Sequence, residues 1–495
     1  MLFAGHLAFG ANRTNLALGF STLWFVLLAL MLFSQDWAAR ALNGMGLRAA
    51  GAGFACVLLL AVLSLTPFGL GGAHPIWSFV PGAPAVVSVD PYATLVEIVK
   101  LLALAAAFLI GCCFGADDDR AKGLIRAILV VGIGFSAWAF IDHIASPDLL
   151  FGGPRPSGPD RLSAAFGSSN TAATLFGALT LLNLIDLVRT YDGARPRGRF
   201  HGADLQPMIS RLARPLLALV LAATCLILTF SRGGMAATAG VGVVLLGATA
   251  LARSRPTAIS APVIATVSIV GGLLLGSLAL NIDALQQRFL FFGPDALTRG
   301  QIFAAHWSAF LAAPWSGYGL GSFARINAMI MDTANLAALG TLGAAHNVYI
   351  QWLEEAGVLG AAAMFATIAV LAVQLAIGVV RRRRMRSWLL AIFAVLLLFL
   401  LHGASDYALQ TPSMALFLSL LLGVGIGVSG SPAPAPVKSA PGEARRERRR
   451  GGPRNALADM GFAIAGPGLA GARTGSIGPV SFWDRTNKTA AAGRL

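Results

Sequence analysis

A chain of 495 residues in which 56% are hydrophobic and only 12% are charged, with a mean hydropathy of +0.72, carries about half the charge of a water-soluble domain. Those values argue against a soluble fold and predict an all-α, polytopic transmembrane bundle. The formal charge of +15, with no folded nucleic-acid module in view, points to an anionic membrane surface and to no nucleic-acid partner.

Apolar runs near the roughly 20 residues that a bilayer requires fall at 14–34, 47–68, 92–115, 121–143, 168–189, 213–231, 234–252, 261–281, 350–380, 387–402 and 410–429. With Met1–Gly10, which looks like the remnant of another span, they predict about 11–12 crossings. A mis-assigned start codon that removed one helix would explain that remnant. Cys56, Cys112, Cys113 and Cys225 all lie in apolar runs, so buried thiol packing is expected rather than disulfides or a metal site.

Basic residues mark every second connection: Arg40 with Arg48, Arg120 with Lys122 and Arg126, Arg189 to Arg214, Arg253 with Arg255, and Arg381 to Arg386. By the positive-inside rule these face the cytoplasm. The opposite connections, including the long segment 282–349, are then extracytoplasmic. The organisation expected is N-terminal helices over 1–160, a transmembrane core over 161–429 that includes this helical outer loop, and a tail over 430–495. Residues 431–495 hold 11 Lys or Arg against 4 Asp or Glu, or +7 of the +15. The tail is read as disordered, cytoplasmic and attracted to lipid headgroups.

Polar residues on the outer side are the candidates for chemistry. Arg232, between two apolar spans in Ser231-Arg-Gly-Gly234, would cost about 2.5–3.5 kcal/mol at bilayer depth, so it either snorkels or meets an anion. Leu297–Phe310 reads as an interfacial amphipathic helix with Arg299 in its first turn, and Pro314–Phe323 as a glycine-rich turn holding Tyr318. Ala344–Gly360 opens the next span with His346 and Asn347. At 3.6 residues per turn, Asn347, Gln351 and Glu354 share a face. Glu354 and Glu355 are expected to be inward-facing partners of an arginine. Arg161 and Asn170 either contact a sugar or cap the following span. His402, Asp406 and Gln410, at i, i+4, i+8, either form an acceptor site or an internally satisfied cluster.

Arg161–Asn170, Ser231–Gly234, Arg299 with Pro314–Phe323, and His346–Gly360, in that order, resemble the O-antigen ligase and O-antigen polymerase superfamily. The resemblance spans about 161–425. It implies a bacterial inner-membrane glycosyltransferase of the helical C-type fold, acting on the periplasmic face without a cofactor. The implied donor is an undecaprenyl-diphosphate-linked glycan, and the implied acceptor is lipid A core, a second lipid-linked glycan or protein. Carried over by position, the essential arginines are Arg232 and Arg299 and the essential histidine is His346. Phe303 stands where many relatives have tryptophan. His402–Pro412 resembles a stretch of polymerase-like members and tilts the reading toward polymerisation.

The residue types suit that chemistry. Guanidinium groups bind phosphate oxygens bidentately and keep their charge, so Arg232 and Arg299 would hold the departing diphosphate with no metal required. The glycine-rich turn and helix N-termini could add N–H donors. His346 would act as base or acceptor-positioning group, and near a helix N-terminus and arginines it should stay neutral; the plainer alternative is a histidine that bonds locally. Tyr318, Asn347, Glu354, Asp406, Arg161 and Asn170 complete the expected substrate-contacting set. A flippase or transporter of lipid-linked sugars is the alternative from another class. It is disfavoured by the lack of internal repeats and of charges deep in the spans.

Overall fold

The computed structural model describes residues 1–34, 38, 42, 46–83, 85–155, 157–194, 205–252, 292–340 and 342–431. The predicted span at 261–281 and the tail beyond Ser431 lie outside the described residues. A short α1 (Leu2–Leu7) precedes α2 (Thr14–Ser34), α3 (Arg48–Leu63), α4 (Pro91–Gly115), α5 (Asp118–Ala145), α6 (Ser169–Ala194), α7 (Leu205–Leu228) and α8 (Arg232–Leu251). After the undescribed stretch come α9 (Phe292–Ala312), α10 (Phe323–Ile330), α11 (Leu336–Leu339), α12 (Val348–Arg381), α13 (Arg386–His402) and α14 (Pro412–Gly430). Among the described residues eight helices are long and apolar enough to cross a membrane, while α3 and α13 are shorter apolar helices. The chain is therefore a multi-pass helical bundle, and among the described residues strand is confined to the pair Leu149–Leu150 and Gly153–Pro154.

Glycine spacing sets the closest helix crossing. Gly111 and Gly115 of α4 face Gly423 and Gly427 of α14, and a methyl group at any of the four would overlap backbone of the opposite helix. Lipid offers no hydrophobic drive between helices, so small residues four apart let the backbones approach and gain contact. In the middle lies α6, whose apolar window is wholly buried. Of the cysteines, Cys112, Cys113 and Cys225 are buried as expected, but Cys56 is exposed on the outer surface of α3, where the apolar run presents it outward.

The two ends of the bundle differ. At one, Arg382 of the α12–α13 turn pairs with Asp118 at 2.5 Å, and Arg214 pairs with Asp186 at 2.5 Å; this end carries Arg120, Lys122, Arg126, Arg189 and Arg381 to Arg386. At the other end α6, α8, α12 and α14 begin, and α7 and α13 finish. Backbone bonds tie their connections: Leu162 N–H to the Leu228 carbonyl at 2.9 Å, Val348 N–H to Gly403 at 2.9 Å, and Val89 N–H to Tyr318 at 2.9 Å.

Helix α12 is broken at Gly357, with φ 64° and ψ −177°. The break frees the carbonyls of Glu354 and Glu355, which accept from Tyr318 N–H at 3.1 Å and Gly319 N–H at 2.8 Å, while Val358 N–H donates to Pro314 at 2.8 Å. The glycine-rich turn and the kink thus clasp each other through backbone. Gly317, Gly319 and Gly321 all have positive φ, the region that L side chains rarely enter. This clasp corrects one expectation. The turn's N–H groups are consumed by α12 and by the Glu355 side chain, which takes Gly321 N–H at 2.8 Å, so the turn is no phosphate cradle.

Candidate functional site

The polar residues gathered at the second end begin with His346, one residue ahead of α12. Asn347 caps that helix, its Oδ1 accepting from the N–H groups of Tyr349 at 3.0 Å and Ile350 at 3.1 Å. The cap leaves His346 at φ 53°, a left-handed conformation that costs a non-glycine residue about 1–2 kcal/mol. Its ring meets the Tyr407 ring edge to face at 4.8 Å, and its Nδ1 is buried without a hydrogen-bond partner. Burial, and then the charge of Arg299, lower its pKa from 6.5 to about 4. The imidazole is therefore neutral at physiological pH, the form a base requires. The cause is mainly desolvation; proximity to a helix start is not needed to explain it.

Arg299 lies half-buried in the first two turns of α9. Its charge reaches Asp406 as well as His346. Asp406 is fully buried; burial pushes its carboxyl up to about 6, opposed by the N–H groups of Tyr407 and Ala408, by Arg299 and by the Thr171 hydroxyl. Oδ2 accepts from Ala408 N–H at 3.1 Å. Oδ1 has no fully formed hydrogen bond, and Thr171 beside it is likewise short of one. An orphaned carboxylate oxygen in a buried site is costly unless a ligand completes it.

Arg232 is the first residue of α8. Ser231 caps the helix, its Oγ accepting Gly234 N–H at 3.2 Å, after Phe230 reverses the chain at φ 51°. Ser231–Gly234, between the two apolar runs, is thus a helix start. Over its two glycines lies the ring of His402, whose Nδ1 is 2.8 Å from Thr174 Oγ1.

The remaining expected residues divide. Arg161 is half-buried beside the α7–α8 turn, next to the Leu162–Leu228 bond, and so lies on the Arg232 side of the site. Asn170 is half-buried in the first turn of α6, where Ser168 Oγ, rather than Asn170, serves the free N–H groups, at 3.2 Å from Asn170 N. Tyr318 is buried, donates its hydroxyl to the Ala309 carbonyl at 3.0 Å and packs on His74; it braces α9. Glu354 has no arginine partner: it is fully buried against His306 of α9, Oε1 to Nδ1 2.8 Å. Glu355 likewise bonds Gly321 and, at 3.0 Å, Gln351. The expectation of an arginine partner fails because α9 presents a histidine there. The helical spacing expected for His402, Asp406 and Gln410 fails too. Helix α13 stops at His402, and residues 403–411 form a loop with one 3-10 turn at Ala408–Gln410. The loop nonetheless returns Asp406 to Arg299.

Tyr407, Ser168, Thr171, Thr174 and His306 were not among the sequence candidates. Thr171 and Thr174 carried a weak signal, lying three apart at the polar start of α6, while His306 sits seven residues from Arg299, on the same helical face. Below the site an apolar cavity of about 330 Å³ runs between α3, α4, α12, α13 and α14 and reaches Val348, Tyr349 and Gly403. Among the described residues no group of three or more His, Cys, Asp or Glu side chains is arranged to hold a metal.

The model of the O-antigen ligase family matches residues 217–365. The matched segment contains Arg232, Arg299, the glycine-rich turn, His346 and the Gly357 kink. It supports the O-antigen ligase and polymerase superfamily, and with it a membrane glycosyltransferase-like role in polysaccharide biosynthesis. No curated protein matches the chain.

Proposed function

We propose that this O-antigen ligase-like chain transfers or polymerises a glycan from undecaprenyl diphosphate on the periplasmic face of the bacterial inner membrane, with lipid A core or a second lipid-linked glycan as acceptor. The orientation rests on the arginine-rich end of the bundle, which the positive-inside rule assigns to the cytoplasm. The observation that carries the reading is the convergence on Arg299 of a neutral imidazole, His346, and a buried carboxyl, Asp406, drawn from distant parts of the chain.

A diphosphate is already a good leaving group, so the protein's task is to hold growing negative charge and to orient the acceptor. Arg232 and Arg299 take the diphosphate oxygens. The acceptor hydroxyl attacks the anomeric carbon, its proton passes to the His346 imidazole, and the bonding electrons leave with the diphosphate. Asp406, completed by a sugar hydroxyl at Oδ1, and Arg161 and Asn170 on the α6 side orient the glycans. The apolar cavity beneath Val348 and Gly403 suits part of the carrier's hydrocarbon chain. These residues need no metal to do this. Glu354, Tyr318 and Asn347 act one step back, by fixing the helices that carry Arg299 and His346.

Purified protein in detergent, given an undecaprenyl-diphosphate-linked glycan and an acceptor, should form new glycosidic bonds, which a flippase would not. His346→Ala should lower transfer by about 10²–10⁴-fold with unchanged abundance in the membrane; near-normal transfer would retire the assignment. In a deletion strain, full-length glycan stranded on its carrier indicates a ligase and single repeat units a polymerase.

A further inference from the structure

We propose that Gln351 is a positioning residue for glycan transfer: its side-chain amide holds the Ala345 N–H and thereby aims the His346 imidazole. The proposal rests on the reading that His346 takes the acceptor proton.

The backbone at His346 is left-handed, with φ 53°, and such a conformation persists only where the chain on both sides is fixed. On the helix side it is. The first-turn N–H groups of α12 are all engaged: Val348 by the Gly403 carbonyl at 2.9 Å, Tyr349 and Ile350 by the Asn347 side chain, and Gln351 by the Asn347 carbonyl at 3.1 Å. On the other side the anchor is Gln351, whose Oε1 accepts the Ala345 N–H at 3.2 Å. The start of α12 does not need this bond. It reaches past the cap to the residue ahead of His346, and Ala345 is fully buried, so the N–H has no solvent to turn to if the amide is lost.

The amide itself is held in one orientation. Glu355 accepts Gly321 N–H at Oε2, 2.8 Å away, and Gln351 Nε2 at Oε1, 3.0 Å away. With a carboxylate on one side and a backbone N–H on the other, only one placement of the amide nitrogen and oxygen satisfies both. Three hydrogen bonds thus run in series from Gly321 through Glu355 and Gln351 to Ala345. The far end is anchored: a methyl group at Gly321 would stand 2.6 Å from Glu97 Cγ and 3.0 Å from the Ala93 carbonyl oxygen of α4. Two residues on, the Phe323 ring stacks on His306 of α9 at 4.7 Å. The series therefore connects the loop carrying His346 to the elements that brace the Arg299 helix.

The test uses full-length protein in detergent with donor and acceptor. Gln351→Met keeps the length of the side chain but neither of its bonds. It should lower kcat about 100-fold, with the KM values for donor and acceptor unchanged. The His346 ring, followed by the NMR signal of its Cε1 and assigned by its loss in His346→Ala, should titrate at about 4 in the wild type and closer to 6.5 in Gln351→Met as the ring reaches water. Its charged and titratable neighbours, Arg299 of α9 and Asp406 and Tyr407 of the 403–411 loop, are the same in both proteins. Exchanging the pair, Gln351→Glu with Glu355→Gln, preserves every donor and acceptor: the carboxylate at 351 takes the Ala345 N–H and the amide N–H at 355, whose oxygen takes Gly321 N–H. The exchange should recover most of kcat and the low His346 titration, and neither single substitution should. Wild-type kcat and titration in Gln351→Met, or an exchanged pair no better than the singles, overturns the positioning role. If Gln351→Met does not fold, the exchanged pair carries the test, and its own failure to fold also counts against the proposal because no bond has been lost. If Gln351→Met transfers normally while His346→Ala is inactive, Gln351 is wrong and the base stands. If His346→Ala transfers normally, the reading of the base fails and the proposal with it.

Discussion

Replacing Gly357 by alanine tests the clasp that sets the His346 helix against the Arg299 helix. At φ 64° and ψ −177° this backbone lies in a region open essentially to glycine alone, and holding another residue there costs about 1–3 kcal/mol. The added methyl would overlap the Trp315 carbonyl oxygen and come within 2.7 Å of the Gly317 nitrogen. Both obstacles are backbone, so relief requires the kink and the turn to separate. Separation strains the bonds from Val358 to Pro314, Tyr318 to Glu354 and Gly319 to Glu355, each worth about 0.5–1.5 kcal/mol. The combined loss is about 3–5 kcal/mol, at the extreme of single substitutions. Thermal unfolding of purified protein in detergent should show Gly357→Ala far below wild type. Gly247→Ala in α8, where a methyl meets nothing within 4 Å, should be neutral or stabilised by about 0.4–1 kcal/mol. A Gly357→Ala melting temperature equal to that of the Gly247 variant would refute the clasp.

Three further outcomes follow from the same geometry. Glu354→Gln and His306→Gln should each destabilise by about 1–3 kcal/mol by disrupting the buried hydrogen bond between Oε1 and Nδ1, and the double variant should be no worse than the poorer single; additive losses in thermal unfolding would argue against a coupled pair. Asp406, raised by burial from 3.8 to about 6, holds a proton in the folded state that the unfolded chain has lost between those values, so its contribution falls as pH rises from about 4 to about 6. Asp406→Asn should therefore transfer glycan poorly yet be more stable above pH 6, by at most about 3 kcal/mol, with the gain gone near pH 4; a gain independent of pH would point to another cause. Placing leucine at Gly423, against the Phe108 carbonyl of α4, should prevent the α4–α14 crossing and lower the melting temperature or the yield of folded protein, whereas wild-type stability would show that close approach to be dispensable.

The spans were legible because a bilayer imposes one rule on every crossing segment: about 20 apolar residues with the backbone bonded within the helix. Arg232, Arg299 and His346 stood out because charge and imidazole are rare beside such segments. What sequence periodicity could not reach was the fate of chain between helices. His402 and Asp406 look like one face of a continuing helix, and only the stop at His402 and the turn at Ala408–Gln410 bring Asp406 back to the site. The glycine-rich turn looks like an anion nest until its N–H groups are found bonded to the freed carbonyls of Glu354 and Glu355. Both errors came from assigning roles to local pattern where the partner lay dozens of residues away.

The position of Arg299 bears on more than the diphosphate. Its charge lowers the pKa of His346 and also that of Asp406, which has opposite consequences for the two groups: the imidazole is held neutral, and the carboxyl is helped to ionise despite its burial. A neutral base and an anionic sugar-orienting group beside the same phosphate site are what transfer to a hydroxyl needs, and burial alone would supply only the first. Lysine at this position would preserve the charge but not the planar fork that can face a phosphate and a carboxylate at once. Arg299→Lys should consequently keep the pH dependence of stability assigned to Asp406 while losing transfer. Arg299→Gln should lose transfer and also shift the Asp406 titration upward. If the two variants titrate alike, the arginine binds the donor but does not organise the residues around it.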